Sequence, residues 1–310
     1  MKVRVFTLAF IHIIEREKEM GRAKPAIGGQ AVIEGVMMRS PEFTAVAVRK
    51  NDEIIVKKEK NSSITDKYPV LKLPVLRGAV ALIEMLVIGV RALSYSAGIA
   101  AGEEEELTGR DIFYAVALAI GFAVLLFIVV PTLLVKLIAG GVKSHLLLNL
   151  IEGVIRIAVF LLYLIFISSM KDIRRFFEYH GAEHKAVHCY ENGEELTIEN
   201  ARKYTTLHPR CGTSFLLVVM IVSILLFSLL GWPGILARIA SRVLLFPMVA
   251  GISYEFIRLA GRSRSPLIQV ISAPGMWLQL LTTREPDDSQ LEVALEALKS
   301  VLSGGGTVAG

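Results

Sequence analysis

His180, Glu183, His184 and His188 lie in one stretch, His180-Gly-Ala-Glu-His-Lys-Ala-Val-His-Cys-Tyr190, and His208 and Cys211 follow in His208-Pro-Arg-Cys-Gly-Thr-Ser214. Together the two pieces hold four of the chain's six histidines and both of its cysteines. On a helix the three histidines of the first piece recur every fourth residue and so share one face. His-x-x-Glu-His is the inverted zincin spacing: two imidazoles one turn apart hold one metal ion, and the glutamate serves a water molecule as general base. This makes His180 and His184 metal ligands and Glu183 the candidate base. A third ligand must come from elsewhere, and His208 and Cys211 are of the right type, since imidazole and thiolate are the common zinc ligands. His188 is a further candidate ligand. The donor set points to a divalent metal, Zn2+ first.

The elements that must position these residues are largely apolar. The 310 residues are 53% hydrophobic with a mean hydropathy of +0.55, too high for an ordinary soluble domain. The apolar residues cluster into four segments, 112–139, 146–170, 215–230 and 235–257, each read as a transmembrane helix. Pro131 should kink the first near its far end. Glu152 and Arg156 lie one turn apart in the second and should pair inside the bundle. Arg238 and Arg242, near the entry of the fourth, should snorkel to the interface. The formal charge of +5 and pI near 9.1 come from scattered bases beside apolar runs, without a basic-aromatic strip, which excludes nucleic acid as the partner and favours a membrane surface. The connection between the second and third spans carries Lys171, Arg174, Arg175, Lys185, Arg202, Lys203 and Arg210. By loop charge it faces the cytosol, and both termini with it. With no Cys-x-x-Cys pair, no disulfide framework is expected, and a reducing cytosol leaves both thiols available to a metal.

The chain therefore divides into an amphipathic or dispensable extension (1–25), a small β-rich cytosolic element (26–70), an interfacial or re-entrant helix (71–110), two transmembrane helices (111–170), the cytosolic loop with the His/Cys cluster (171–213), two more spans (214–258), and an interfacial segment with a C-terminal amphipathic helix (259–310). The fold class is an integral membrane protein, mainly α-helical. In the β element, Gln30, Glu34 and Arg39 form a dense polar set for a plain strand. Glu34 is the reserve carboxylate, as a ligand or as the partner of a ligating histidine. Residues 61–70 read as a polar connector, Glu103-Glu-Glu-Glu106 as a solvated loop, 267–281 as an interfacial piece broken at Pro274-Gly275, and the end from Gly304 as frayed.

Four stretches, Gly28-Gly-Gln-Ala-Val-Ile-Glu-Gly-Val-Met-Met-Arg39, His180-Gly-Ala-Glu-His-Lys185, His208-Pro-Arg-Cys-Gly-Thr-Ser214 and Leu281-Thr-Thr-Arg-Glu-Pro286, make the sequence similar to the YqhQ-like family. These are bacterial membrane proteins of unknown function, often described as metal-dependent enzymes. The resemblance covers nearly everything after residue 25. It implies a bacterial inner-membrane location and agrees with a metal site, and it names no reaction.

Three functions fit the residues. The first is a zinc-type hydrolase acting at the cytosolic membrane surface on a membrane-near peptide or lipid-linked molecule, in contact with membrane lipid. The second is a scaffold or assembly factor in which His184, His188, His208 and Cys211 close a structural metal site. The third is a transporter or channel, motivated by Glu152, Arg156 and the charged segment at 71–101.

Overall fold

A computed structural model describes residue 25 and residues 27–102, 108–138, 140–231, 233–260 and 266–303. Residues 1–24 of the expected N-terminal extension, the loop at Glu103–Glu106 and the end from Gly304 lie outside these. Strands β1 (Gly28–Val32), β2 (Gly35–Arg39), β3 (Phe43–Lys50) and β4 (Glu53–Lys60) form an antiparallel meander in the order β1-β2-β3-β4. The first turn is tight: Val32 pairs with Gly35, and Glu34 takes the left-handed region with φ 51°. Alternation sends Ala31, Val36, Met38, Ala45 and Ala47 to one face and Val32, Met37, Val46 and Val48 to the other, and both faces are covered.

Helices follow: α1 (Ile64–Lys67), then α2 (Leu76–Ala101), α3 (Gly109–Ile138), α4 (His145–Ser168), α5 (Lys171–Glu191), α6 (Ile198–Arg202), α7 (Gly212–Ser228), α8 (Ile235–Ala260), α9 (Pro266–Thr282) and α10 (Asp288–Leu302). The first sheet face packs on α5 and α10, whose Tyr179, Ala182, Ala186, Leu291, Leu295 and Leu298 are all buried. Full burial of a leucine contributes roughly 1.5–3 kcal/mol, so this face holds the layer together. The second face packs on α2 through Ala92, Ile88, Leu93 and Tyr95. The segment read as an interfacial or re-entrant helix is one continuous helix of 26 residues, with one half on the sheet and the other against α8. Two of its charges have partners: Arg77 pairs with Glu255, and Glu84 accepts from the backbone N–H of Ile64 at 2.8 Å.

Helices α3, α4 and α8 are long and apolar enough to cross a membrane. The fourth expected span is α7, at 17 residues, which at about 1.5 Å per residue reaches roughly 25 Å. In α3 a π-turn at Leu125–Val129 precedes Pro131. Proline has no N–H to return to Phe127, and Nε of Arg156 donates to that carbonyl at 2.9 Å instead. Arg156 also pairs with Glu152 at 2.7 Å, inside the bundle. Arg242 does not snorkel. It is 1% exposed, with Nε 2.9 Å from Glu152 and Nη2 2.9 Å from Asn149, because a carboxylate already buried by its neighbour is a better partner than distant water. Helix α9 runs unbroken through Pro274, which was expected to interrupt it, and packs against α7 with Gly275 on Ser214.

Candidate metal centre

Helix α5 carries the His/Glu motif, and the other three signature stretches meet around it. Gly181 has no room for a side chain: a Cβ there would stand 2.0 Å from the carbonyl oxygen of Arg284. That close approach brings the 281–286 segment alongside, where Arg284 N–H donates to Phe177 O and Lys185 pairs with Glu285. The same segment supplies the carbonyl of Thr282, 2.8 Å from Nδ1 of His180. The 208–214 stretch is clamped by Gln279 of α9, which accepts from His208 N–H and donates to His208 O, both at 2.8 Å. Cys211 then caps the N-terminus of α7, with Sγ accepting from Thr213 N–H. From the sheet, Gly29 packs so close to Glu183 that a Cβ would lie 2.8 Å from Cγ.

The result is a compact donor group. Ligand atoms of His180, His184 and Cys211 all lie within 4.8 Å of one another. Nε2 of His180 is 3.3 Å from Sγ of Cys211. Nδ1 of His180 faces Thr282 O and Nδ1 of His184 faces Thr206 O. A neutral imidazole that donates Nδ1–H to a carbonyl keeps its Nε2 lone pair free, the tautomer of a metal ligand. Nε2 of His184 is buried without a hydrogen-bond partner, 3.5 Å from Oε2 of Glu183. An orphaned acceptor costs about 1–3 kcal/mol, so a cation here fits the donors present.

Burial dominates the protonation of the group. Burial lowers the His184 pKa well below the usual histidine value, with His180 and His208 adding to it, so the ring is neutral. Burial raises the Glu183 carboxyl above the usual range, against the pull of His180, His208 and the Gly29 N–H. Burial likewise pushes the Cys211 thiol up to about 11, although Thr213 donates to it.

His208 and His188 stand in a second, adjoining group with Glu191, their ligand atoms also within 4.8 Å. Ring centroids are 4.6 Å apart for His188 and His208, and 5.6 Å for His184 and His208. Nε2 of His188 bonds Leu207 O at 2.9 Å, and burial holds its pKa down at about 3. Of the two third ligands considered, geometry therefore groups Cys211 with His180 and His184, and places His208 next door. Glu34 is not brought to either group. It forms a two-point ion pair with Arg175 and accepts from the Tyr179 hydroxyl at 3.3 Å. Glu191, Gln279, Thr206 and Thr282 are site residues that spacing does not reveal, since two of them act through backbone carbonyls.

The chain matches the family model described as "Protein of unknown function (DUF1385)" over residues 73–304. It is also 35% identical over 300 residues to the uncharacterized protein YqhQ of Bacillus subtilis (strain 168), covering 91% of this chain and 93% of that protein. The chain belongs to this YqhQ-like family. Each of the four stretches carrying the resemblance contributes a contact around α5. No solved structure matches.

Proposed function

We propose that the protein is a multi-pass protein of the bacterial cytoplasmic membrane, and that its sheet layer and histidine cluster form a zinc-type metal centre on the cytosolic side. In this reading α3, α4, α7 and α8 cross the bilayer, α7 drawing the surface inward to match its length. The bases between α4 and α7 set the orientation and place both termini inside. The observation that carries the metal centre is the convergence of two carbonyl-anchored imidazoles and one thiol. The ion supplies Lewis acidity. Glu183, buried and poised above the ordinary carboxylate range, takes the proton from a water molecule at the site. The reaction class is hydrolysis, and the substrate is a membrane-near peptide or lipid-linked molecule, from location alone.

Metal analysis of the purified chain tests this reading. The wild type should carry at least one zinc-type ion per chain, and His184→Ala should lose the ion held with His180 and Cys211. Equal metal content would remove the motif from the argument. Glu183→Gln should keep metal and thermal stability while losing complementation of a deletion strain, by on the order of a hundredfold. The burial of His184, 2% exposed, favours a second reading, a closed structural ion in a scaffold protein. A Glu183→Gln chain that keeps its metal and complements fully decides for it.

A further inference from the structure

On the sheet face turned away from the histidine cluster, α2 covers only part of the strands and leaves a cleft of about 970 Å³. Its floor is apolar: Met37, Val46 and Ala92 are buried there, beside Ile88 and Tyr95. Its wall is basic. Arg39, Lys50, Lys57, Lys60, Lys67 and Arg91 line it, against only Glu59 and Glu84 among the described residues.

The two acids are already engaged. Glu84 accepts from Ser63 Oγ and from Ile64 N–H, capping α1, and Glu59 stands 3.4 Å from Lys57. Arg39, Lys50, Lys60, Lys67 and Arg91 form no ion pair with any described residue. Five cations around an apolar floor repel one another unless an anion joins them.

The apolar part of the cleft continues toward the bundle. Ile112, in the first turn of α3, lines it. On α2, Ile83, Leu86 and Val87 are exposed by 60%, 57% and 46%. A soluble anion has no use for this floor, and a neutral apolar ligand has no use for the cations. The pairing suits an amphiphile with an anionic head.

We propose that this cleft binds an anionic phospholipid, its phosphate against Lys60, Lys67 and Arg91 and an acyl chain along Val46, Ile88 and Tyr95. Such a lipid ties the sheet layer to the membrane surface where α3 begins. The proposal rests on the membrane reading but not on the metal centre, which lies across the sheet.

The test uses the full chain, extracted from membranes in a non-ionic detergent and given phosphatidylglycerol or phosphatidylcholine of equal chain length. Retained lipid is read by native mass spectrometry. The wild type should retain phosphatidylglycerol in preference, and Lys60→Gln combined with Lys67→Gln should weaken retention about thirty-fold, at about 1 kcal/mol per cation. Lys299→Gln, exposed on α10 behind the other sheet face, should change nothing. Millimolar inorganic phosphate should leave the lipid bound, because the acyl chain adds its own burial. Equal retention of the two lipids, or undiminished retention by the double variant, overturns the proposal. Complete displacement by phosphate overturns it in favour of a soluble phosphate ligand. Recovery of the chain in the membrane fraction reports on the membrane reading separately.

Discussion

Loading the His180–His184–Cys211 group with zinc should release about one proton from Cys211. In the metal-free chain burial holds that thiol at about 11, so at pH 7.5 roughly one thiol in three thousand is ionised. The thiolate is the form that ligates, so the proton must leave. Ionising it at pH 7.5 costs about 5 kcal/mol, less than the roughly 10–16 kcal/mol a structural zinc site supplies, so binding survives the penalty. His184 adds no proton, being neutral already with Nδ1 held against Thr206 O. The assay is calorimetric titration of the metal-free full chain with zinc in two buffers of different ionisation enthalpy, whose difference gives the proton count. Wild type should exceed Cys211→Ala by about one. The same proton should appear as a tenfold tightening of wild-type affinity per pH unit, which remains readable where Cys211→Ala binds too weakly to titrate. Cys189→Ala should match wild type, because that thiol donates to Glu195 O at 3.3 Å, outside the donor group. Equal counts in wild type and Cys211→Ala, or an affinity indifferent to pH, would refute the thiol as a ligand.

Acidification should destabilise the metal-free chain. His188 sits at about 3 when folded and near 6.5 unfolded, so the unfolded state binds the extra proton across that window and stability falls with pH. From pH 7 to 5 its share is about 2 kcal/mol. His184 adds in the same direction, and Glu183, raised when folded, opposes in part. Denaturant midpoints at the two pH values read the sum, and a His188→Gln chain with an undiminished pH response would contradict the assignment. In the bundle, Glu152→Gln should be strongly destabilising, because it strands the guanidiniums of Arg156 and Arg242. The expected cost is about 3–5 kcal/mol, read as a fall in thermal midpoint of the full chain in detergent. A midpoint within a degree of wild type would mean the carboxylate does not hold them.

The spacing that places His180, His184 and Glu183 together is legible because a helix converts sequence period directly into a face. What completes the site is not. The carbonyls of Thr206 and Thr282 act through the backbone, which carries no residue signature. Gln279 lies in an apolar run, and only the fold shows that it clamps both backbone groups of His208. Choosing between His208 and Cys211 required the path of the chain from Asn192 to Gly212, where no period operates. Among the bundle residues, propensity arguments misplace Arg242 and Pro274 for one reason. Each judges a residue by its own preference, whereas Glu152 and the packing of α9 on α7 decide the outcome.

The four signature stretches lie far apart in the chain, and α5 is where they meet. Gly29 comes from the sheet, Thr282 and Gln279 from the end of α9, and Cys211 from the start of α7. No one of these elements holds a complete donor set. The positions of Thr282 and Cys211 depend on α9 and α7 packing together, while the position of Glu183 depends on the sheet closing on α5. The donors His180 and His184 of the sheet layer and Cys211 of the bundle therefore stand together only in the docked arrangement. Metal bound there stabilises the docked arrangement over every undocked one by its own binding free energy. Were an ion bound there, metal centre and staple between layers would be the same physical object, and a proton taken up by Glu183 would distinguish an enzyme from a clasp.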